Sequence, residues 1–205
     1  MNFTDGQSYW DKRFEDDEYL FGREPNVFLA AQAPLLRPGL TALSIADGEG
    51  RNSVWLAQQG LDVTALEQSR NALAKARRLA DERGVSVSFN EANVLEWDFG
   101  RDRYDIVAAI FIQFLAPGER SVVFRRIADA LKPSGRLVLQ GYTAKQVEYK
   151  TGGPPNVEHM YSAALLRDSF ADLEIEHLRE HEAHVAEGKG HLGWSALIEL
   201  VARKP

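Results

Sequence analysis

The amino-acid sequence predicts a doubly wound α/β fold with one mostly parallel sheet. From residue 41 to residue 140, short apolar or alternating segments, which predict strands, take turns with amphipathic segments, which predict helices. Residues 104–111 are almost wholly apolar, as expected for a central parallel strand buried on both faces. Two alternating segments near the C-terminus have no helix between them and predict an antiparallel pair at the sheet edge. Seven strands with helices on both faces are expected: 41–46, 61–67, 85–90, 104–111, 136–140, 173–178 and 195–202.

The segments outside these strands carry helical start and stop signals. Asn26, Ser69 and Ser162 are typical N-cap residues, and Gly84 is a typical residue after a helix end. Residues 143–161 form a long polar segment rich in Gly and Pro, and loops of that length are often functional. Helices are predicted over 7–14, 27–36, 52–59, 70–83, 117–131 and 163–170.

The composition suits one globular domain, and we expect residues 1–205 to fold as one unit with residues 1–37 as a helical cap or lid. A net charge of −6 does not resemble the basic face expected for nucleic acid or an anionic membrane, although it does not exclude a local basic patch. Because the chain has no cysteine, disulfides and thiolate zinc sites are excluded. No apolar run approaches the ~20 residues that span a bilayer, and residues 1–18 lack a signal-peptide core, so a cytoplasmic protein is expected.

A glycine turn follows the first predicted strand. Gly48 and Gly50 lie between that strand and a helix that opens at Asn52. Glycine lets the backbone approach a ligand closely, and a helix N-terminus offers unpaired N–H groups. The turn is also compatible with an ordinary strand-to-helix connection that binds nothing.

Polar residues at the ends of the next two strands add to this signal. Glu67 lies about 20 residues beyond the glycine turn, the spacing at which a carboxylate accepts hydrogen bonds from ribose hydroxyls. Asn93 has an amide that can recognise a purine edge, and Val94 offers apolar cover. Each residue alone also fits a purely structural role, whereas together they favour a nucleoside cofactor.

These residues resemble class I S-adenosylmethionine-dependent methyltransferases. The likeness is carried by Leu43–Ala57 (LSIADGEGRNSVWLA), Glu67, Asn93, Tyr104-Asp105 and Leu131–Leu137 (LKPSGRL). A small-molecule branch that includes tellurite-resistance and thiopurine methyltransferases is similar through Tyr9–Phe14, Gly22–Asn26 and Gly48–Asn52.

The resemblance implies a Rossmann-like seven-stranded sheet, S-adenosylmethionine as the cofactor and S-adenosylhomocysteine as the product. It implies methyl transfer to a small-molecule acceptor, with a soft sulfur, selenium or tellurium nucleophile as one option. The cofactor residues that it implies are Ala46, Asp47, Gly48, Gly50, Arg51, Asn52, Glu67, Gln68, Asn93, Val94 and Ile110.

The sequence departs from the family pattern at two positions before the turn. Ser44 stands where the family usually has an acid, and Ala46 stands where it usually has glycine. Asp47 is therefore expected to supply the carboxylate that holds the ammonium group of the cofactor. The same departures motivate an alternative, a non-catalytic protein that binds S-adenosylmethionine.

The acceptor is expected between the N-terminal cap, the end of the fourth strand and the 143–161 loop. His159 is the candidate base of that loop because an imidazole titrates near neutral pH, although a structural hydrogen bond would also explain it. The predicted acceptor contacts are Tyr9, Trp10, Arg13, Phe111, Ile112 and Tyr161.

The residues allow two further interpretations. An NAD(P)-dependent oxidoreductase fits Gly48, Gly50 and Glu67, but Ser53 stands where the third fingerprint glycine belongs. A metal site could involve His177, His181, His184 and His191, but their spacing is not HExxH, and no metal is predicted. The oligomeric state is left open.

Overall fold

The computed structural model describes residues 6–205, and residues 1–5 of the predicted N-terminal cap lie outside the described residues. Seven strands are formed: β1 Thr41–Ile45, β2 Asp62–Glu67, β3 Ser88–Glu91, β4 Tyr104–Ile110, β5 Leu131–Tyr142, β6 Glu174–Ala186 and β7 Leu192–Arg203. They make one sheet in the order β3-β2-β1-β4-β5-β7-β6. Strands β1 to β5 pair in parallel, and β7 is antiparallel to both β5 and β6. The predicted fold is confirmed.

The helices are α1 Gly6–Arg13, α2 Val27–Ala31, α3 Arg51–Gln58, α4 Arg70–Arg83, α5 Pro117–Ala130, α6 Gln146–Tyr149 and α7 Ala163–Ser169. The side chain of Asn26 caps α2, as the sequence predicted. The predicted helix over 27–36 is wrong in extent. Pro34 has no N–H to continue an α-helical ladder, and a 3-10 turn over Ala33–Leu35 replaces the second half. None of these described helices has the length and apolar character needed to cross a membrane.

The helices cover both faces of the sheet, as predicted. Along β4, Val107 and Ala109 belong to the apolar cluster that packs against α5 and α7. Their neighbours Ile106 and Ala108 belong to a second cluster with residues of α2 and α3. The near-continuous apolar sequence of β4 therefore serves two cores, one on each side of the sheet.

The last two strands are much longer than the sequence predicted. The register of β6 and β7 continues from Glu174 and Arg203 to Ala186 and Leu192. The second half of β6 contains His and Glu residues, and much of it is exposed at the sheet edge, so it lacks the apolar alternation of a core strand. Because of this extra length, the turn between β6 and β7 reaches the carboxyl ends of β1 and β4.

Candidate functional site

A cavity of about 180 Å³ lies at the carboxyl ends of β1, β2 and β4, where the strand order reverses between β1 and β4. Its wall has two chemically different parts. The polar half comes from the ends of β1, β2 and β3 and the start of α3: Ala46, Asp47, Gly48, Arg51, Asn52, Leu66, Glu67, Gln68, Ala92 and Val94. The aromatic half comes from separate segments: Trp10, Phe14, Phe21, Phe111, Phe114, Tyr142 and His191.

Asp47 is held in the polar half by two serines. One carboxylate oxygen accepts hydrogen bonds from the Ser44 hydroxyl, at 2.6 Å, and from the Ser53 backbone N–H, at 3.2 Å. The other oxygen accepts the Ser53 hydroxyl. Burial raises the pKa of Asp47 above its usual value. Since a carboxylate accepts about four hydrogen bonds, one position remains for a donor in the cavity.

The backbone of the cavity wall is strained at the ends of two strands. Ala46 has φ +50° and Phe111 has φ +56°, and both line the cavity directly after β1 and β4. Residues with a Cβ rarely adopt this left-handed region. Strained residues of this kind cluster at functional sites, where the surrounding structure holds them.

Glu67 ends β2 and points its carboxylate into the polar half. Its oxygens accept the backbone N–H groups of Gly48, at 2.9 Å, and Ser69, at 2.8 Å. Burial, assisted by the nearby charge of Asp47, raises the pKa of Glu67 from 4.5 to about 7. The carboxylate keeps acceptor capacity for a hydroxyl group in the cavity.

The two glycines of the turn have different neighbours. A Cβ on Gly48 would lie 3.7 Å from the Phe14 ring, and Gly48 lines the cavity. A Cβ on Gly50 would lie 2.7 Å from the Cβ of Ala76. Gly50 is therefore needed for the close packing of α3 on α4, whereas the sequence had assigned it to cofactor binding.

Asn93 also lies outside the cavity wall. Its side-chain oxygen accepts the backbone N–H of Leu95 at 3.0 Å, which closes a local turn after β3. Its neighbour Val94 does line the cavity. The position of Asn93 does not support a contact with a purine, while the apolar cover from Val94 is in place.

Arg51 and Asn52 connect the polar half to distant segments. The Arg51 guanidinium forms a buried ion pair with Glu187 at 2.7 Å, in the turn between β6 and β7. Glu187 also accepts the side-chain and backbone N–H groups of Asn26 and Val27, each at 3.0 Å. Asn52 accepts the backbone N–H of Asn26 at 2.9 Å. Both residues therefore shape the wall by anchoring its neighbours.

The N-terminal segment is docked against the glycine turn. Glu49 forms a buried ion pair with Lys75 at 2.8 Å and accepts the Phe21 backbone N–H at 3.2 Å. Lys75 also donates to the carbonyl oxygen of Glu18 at 2.9 Å. These contacts place Phe21 and the nearby Phe14 over the cavity.

The predicted acceptor residues divide into two groups. Trp10, Arg13 and Phe111 line the cavity. Ile112 and Tyr161 are buried in the core between the sheet and α5, outside the wall. The remaining predicted contact, Tyr9, also lies outside the wall and packs edge-on against Trp10 at 5.3 Å between ring centroids.

His159 lies behind the aromatic half and does not line the cavity. It is buried, and its ring Nδ1 lies 3.2 Å from the carbonyl oxygen of Gln113. A carbonyl only accepts, so Nδ1 carries the shared proton. This geometry fits the structural hydrogen bond that the sequence also allowed.

His191 is the histidine that the structure does bring into the wall, and sequence reasoning had considered it only as a metal ligand. Its ring centroid lies 4.3 Å from that of Phe111 and 4.5 Å from that of Phe21. Tyr142 lies next to Phe111, with 4.7 Å between centroids. Tyr142 ends β5 in an apolar strand, so its sequence context carried no signal for a site.

Two other histidines lie close to a carboxylate at the edge of the sheet. His177 and His181 lie 3.3 and 2.8 Å from the carboxylate of Glu199 on β7. Within residues 6–205, no group of three or more metal-ligating side chains is placed to hold a metal ion.

Relatives were found for the central part of the chain. Residues 42–135 match the family profile of the methyltransferase domain. A ubiquinone biosynthesis O-methyltransferase of Azorhizobium caulinodans is 29% identical over 107 residues, covering 51% of this chain and 42% of that protein. The chain thus spans less than half the length of this curated relative.

Solved structures resemble nearly the whole chain. A protein studied for the conversion of a disulfide bond into a thioacetal group during echinomycin biosynthesis superposes with a TM-score of 0.78 and 20% identity, over 97% of this chain and 92% of that chain. TehB from Haemophilus influenzae has a TM-score of 0.71 and 16% identity, over 97% and 67%. At these identities the likeness shows the fold. Residues 42–135 therefore match a methyltransferase domain, and nearly the whole chain shares the fold of these solved structures.

Proposed function

We propose that this chain binds S-adenosylmethionine in the polar half of the cavity and transfers its methyl group to a small molecule in the aromatic half. The observation that carries the proposal is the buried carboxylate of Glu67 in the cavity wall beside Gly48, within the methyltransferase domain. An ordinary strand-to-helix connection has no reason to bury a carboxylate against an open cavity.

The residues of the polar half fit the parts of the cofactor. Glu67 accepts hydrogen bonds from the ribose hydroxyls, and Gly48 leaves the backbone open beside them. Asp47 uses its remaining acceptor position for the ammonium group, with Ser44 orienting it in place of the missing family acid. Val94 covers the adenine, whereas Asn93 is left out of this assignment.

The protein contributes mainly alignment. When bound, the cofactor supplies an electrophilic methyl group, which the lone pair of the acceptor takes as the carbon–sulfur bond pair returns to sulfur. Alignment of two reactants supplies at most ~7–11 kcal/mol of the barrier reduction. The glycine-rich loop contributes Gly152, Gly153 and Pro154 to the wall, and together with Trp10 and Phe14 it excludes water.

A soft nucleophile suits such a site, because thiols, selenols and tellurols lose their proton readily and need no strong base in the protein. The structural neighbour from echinomycin biosynthesis also takes part in chemistry at sulfur, the conversion of a disulfide into a thioacetal. No residue in this proposal acts as a general base.

Calorimetric titration with S-adenosylmethionine, S-adenosylhomocysteine and NADH tests the proposal. We expect micromolar binding of the first two and a loss of ~1–3 kcal/mol in binding free energy for Glu67→Ala. Asn93→Ala is the matched control at the neighbouring strand end, and it should leave the affinity unchanged. Binding of NADH instead would favour an oxidoreductase, and the absence of all binding would refute both assignments.

Turnover separates an enzyme from a non-catalytic binder. We expect S-adenosylhomocysteine to form when the loaded protein meets a panel of thiols, selenols and phenols. Tight cofactor binding without any product across that panel would favour the non-catalytic alternative that Ser44 and Ala46 suggested.

A further inference from the structure

Two buried polar atoms of the aromatic half have no hydrogen-bond partner among residues 6–205. They are the hydroxyl oxygen of Tyr142, which is 1% exposed, and Nδ1 of His191, which is 8% exposed. Both residues line the cavity. Buried polar groups are nearly always paired, because an unpaired one costs free energy. Because both residues line the cavity, these atoms are placed to bond with what occupies it.

We propose that Tyr142 and His191 bind the nucleophilic group of the acceptor, and that the acceptor is a planar aromatic molecule that carries a thiol or hydroxyl group. This inference rests on the proposed function, because it names the acceptor class of that same site.

The sheet order separates this pair from the cofactor residues. Glu67 ends β2, on one side of β1. Tyr142 ends β5, beyond β4 on the other side, and His191 precedes β7, the strand that pairs with β5. A molecule bound at Tyr142 and His191 therefore faces the methyl donor across the switch point of the sheet.

The surrounding rings favour a flat ligand. His191 is in contact with Phe21 and Phe111, and Phe111 is in contact with Tyr142. The glycine-rich loop that contains Gly153 also lies close to this wall, since a Cβ on Gly153 would be 2.8 Å from the Tyr142 ring. Offset stacking and edge-to-face contacts with several rings recognise an aromatic ligand.

The charges beside the pair disfavour a cationic amine as the acceptor. Burial lowers the pKa of His191 to about 3, assisted by the positive charges of Arg51 and Arg13. Burial also raises the pKa of Tyr142, so that both groups are uncharged at neutral pH. The charge of Arg51 is offset by its ion pair with Glu187, and the two uncharged groups together with the Arg13 guanidinium favour a thiol or phenol, and its anion, over an ammonium group.

Four aromatic probes test the assignment on the full-length protein with S-adenosylhomocysteine present. 4-Nitrothiophenol and 4-nitrophenol carry the proposed group, and their visible absorption reports both binding and ionisation. Nitrobenzene lacks the group, and 4-nitrobenzylamine replaces it with a cation. A phosphine reductant keeps the thiol reduced without affecting the protein, which has no cysteine. We expect the thiol and phenol to bind about tenfold more tightly than the other two.

Three single variants locate the contact. Tyr142→Phe and His191→Phe leave an aromatic ring at each position but remove its hydrogen-bonding atom. Each variant should weaken binding of the thiol and the phenol about tenfold, and the affinity for nitrobenzene should not change. Tyr104→Phe is the matched control, because it removes another buried, unpartnered hydroxyl at the start of β4, away from the cavity. Thermal unfolding should show that Tyr142→Phe is as stable as the parent, since its hydroxyl has no hydrogen-bond partner among residues 6–205.

The outcomes distinguish this inference from the proposed function. Unchanged probe affinity in both ring variants, equal weakening by Tyr104→Phe, or preferred binding of the amine would each overturn the acceptor assignment. Calorimetry with S-adenosylhomocysteine alone tests the cofactor half independently. If that titration succeeds while the probe series fails, the proposed function stands without this acceptor class.

Discussion

The two halves of the cavity differ in how the chain assembles them. The polar half comes from three short segments at the ends of consecutive strands, and its carboxylates are held by nearby backbone N–H groups and hydroxyls. The aromatic half collects rings from residue 10 to residue 191, and its side chains contact one another. Binding a cofactor by backbone geometry thus needs few contiguous residues, whereas the shape of an acceptor pocket requires the packing of the entire fold.

Two charged residues of the glycine turn join the halves. Glu49 holds the segment that carries Phe21, and Arg51 holds the turn that carries His191 through Glu187. Changes at either charged residue can therefore disturb the aromatic half from within the turn of the polar half, which makes the comparison testable.

The largest effect is expected for Lys75→Met. Lys75 and Glu49 form an ion pair with side chains only 7% and 2% exposed, so removing the cation leaves a buried carboxylate without its partner. The free energy of unfolding should fall by about 3–5 kcal/mol, measured by urea denaturation. The double variant Lys75→Met with Glu49→Met is the control and should recover part of the loss. A loss below about 1 kcal/mol would show that the pair behaves like an exposed one.

Gly50→Ala should come next and should differ from Gly48→Ala. Gly50 has φ +89°, and an added Cβ would lie 2.7 Å from Ala76, so strain and overpacking together cost roughly 2–5 kcal/mol. Gly48 has φ +61° with room beside it, which limits the loss to about 1–2 kcal/mol. Only Gly48→Ala should weaken binding of S-adenosylhomocysteine by direct contact. Equal unfolding energies for the two variants would contradict the different roles of these glycines.

Glu67→Gln should change the pH dependence of stability. The folded chain raises the pKa of Glu67 from 4.5 to about 7, so the folded state binds this proton more tightly than the unfolded chain does. That stabilisation is complete below pH 4.5 and is lost as the pH rises through about 7, on the order of 3 kcal/mol at about 1.36 kcal/mol per pKa unit.

The variant should therefore lose less stability than the parent between those pH values. The slope that remains includes Asp47, whose pKa burial also raises, and His191, whose pKa is lowered to about 3 and whose contribution to stability therefore has the opposite sign. Urea denaturation at a series of pH values measures both slopes. Parallel curves for parent and variant would mean that folding does not raise the pKa of Glu67.

The smallest effect is expected for His159→Asn. Its ring hydrogen bond to the carbonyl oxygen of Gln113 lies behind the cavity wall, so the loss should be about 1 kcal/mol in unfolding free energy. Binding of S-adenosylhomocysteine and 4-nitrophenol should not change, in contrast to His191→Phe. A folded His159→Asn variant that lost probe binding would return His159 to the acceptor site.

The sequence by itself determined the fold class and most of the polar half. Period-two strands, capped amphipathic helices and a glycine turn are local patterns, and each acts within about ten to twenty residues of the chain. The position of Glu67 followed from the same patterns, because the carboxyl ends of parallel strands meet at one edge of the sheet.

Local patterns did not determine which turn residues face the cavity. Gly50 and Asn93 matched a binding motif, yet one packs against Ala76 and the other closes its own turn with Leu95. Both outcomes depend on side chains that the motif does not contain, such as those of the following helix.

Only the tertiary structure decided the aromatic half. The unexpected length of β6 and β7 carries His191 to the cavity, while the backbone after β4 turns Phe111 inward and leaves Ile112 in the core. His159 and Tyr161 lie near in sequence to wall residues but face away from the cavity. Contacts between rings far apart in the chain depend on how the folded elements pack together. The periodicity within one segment does not encode that packing.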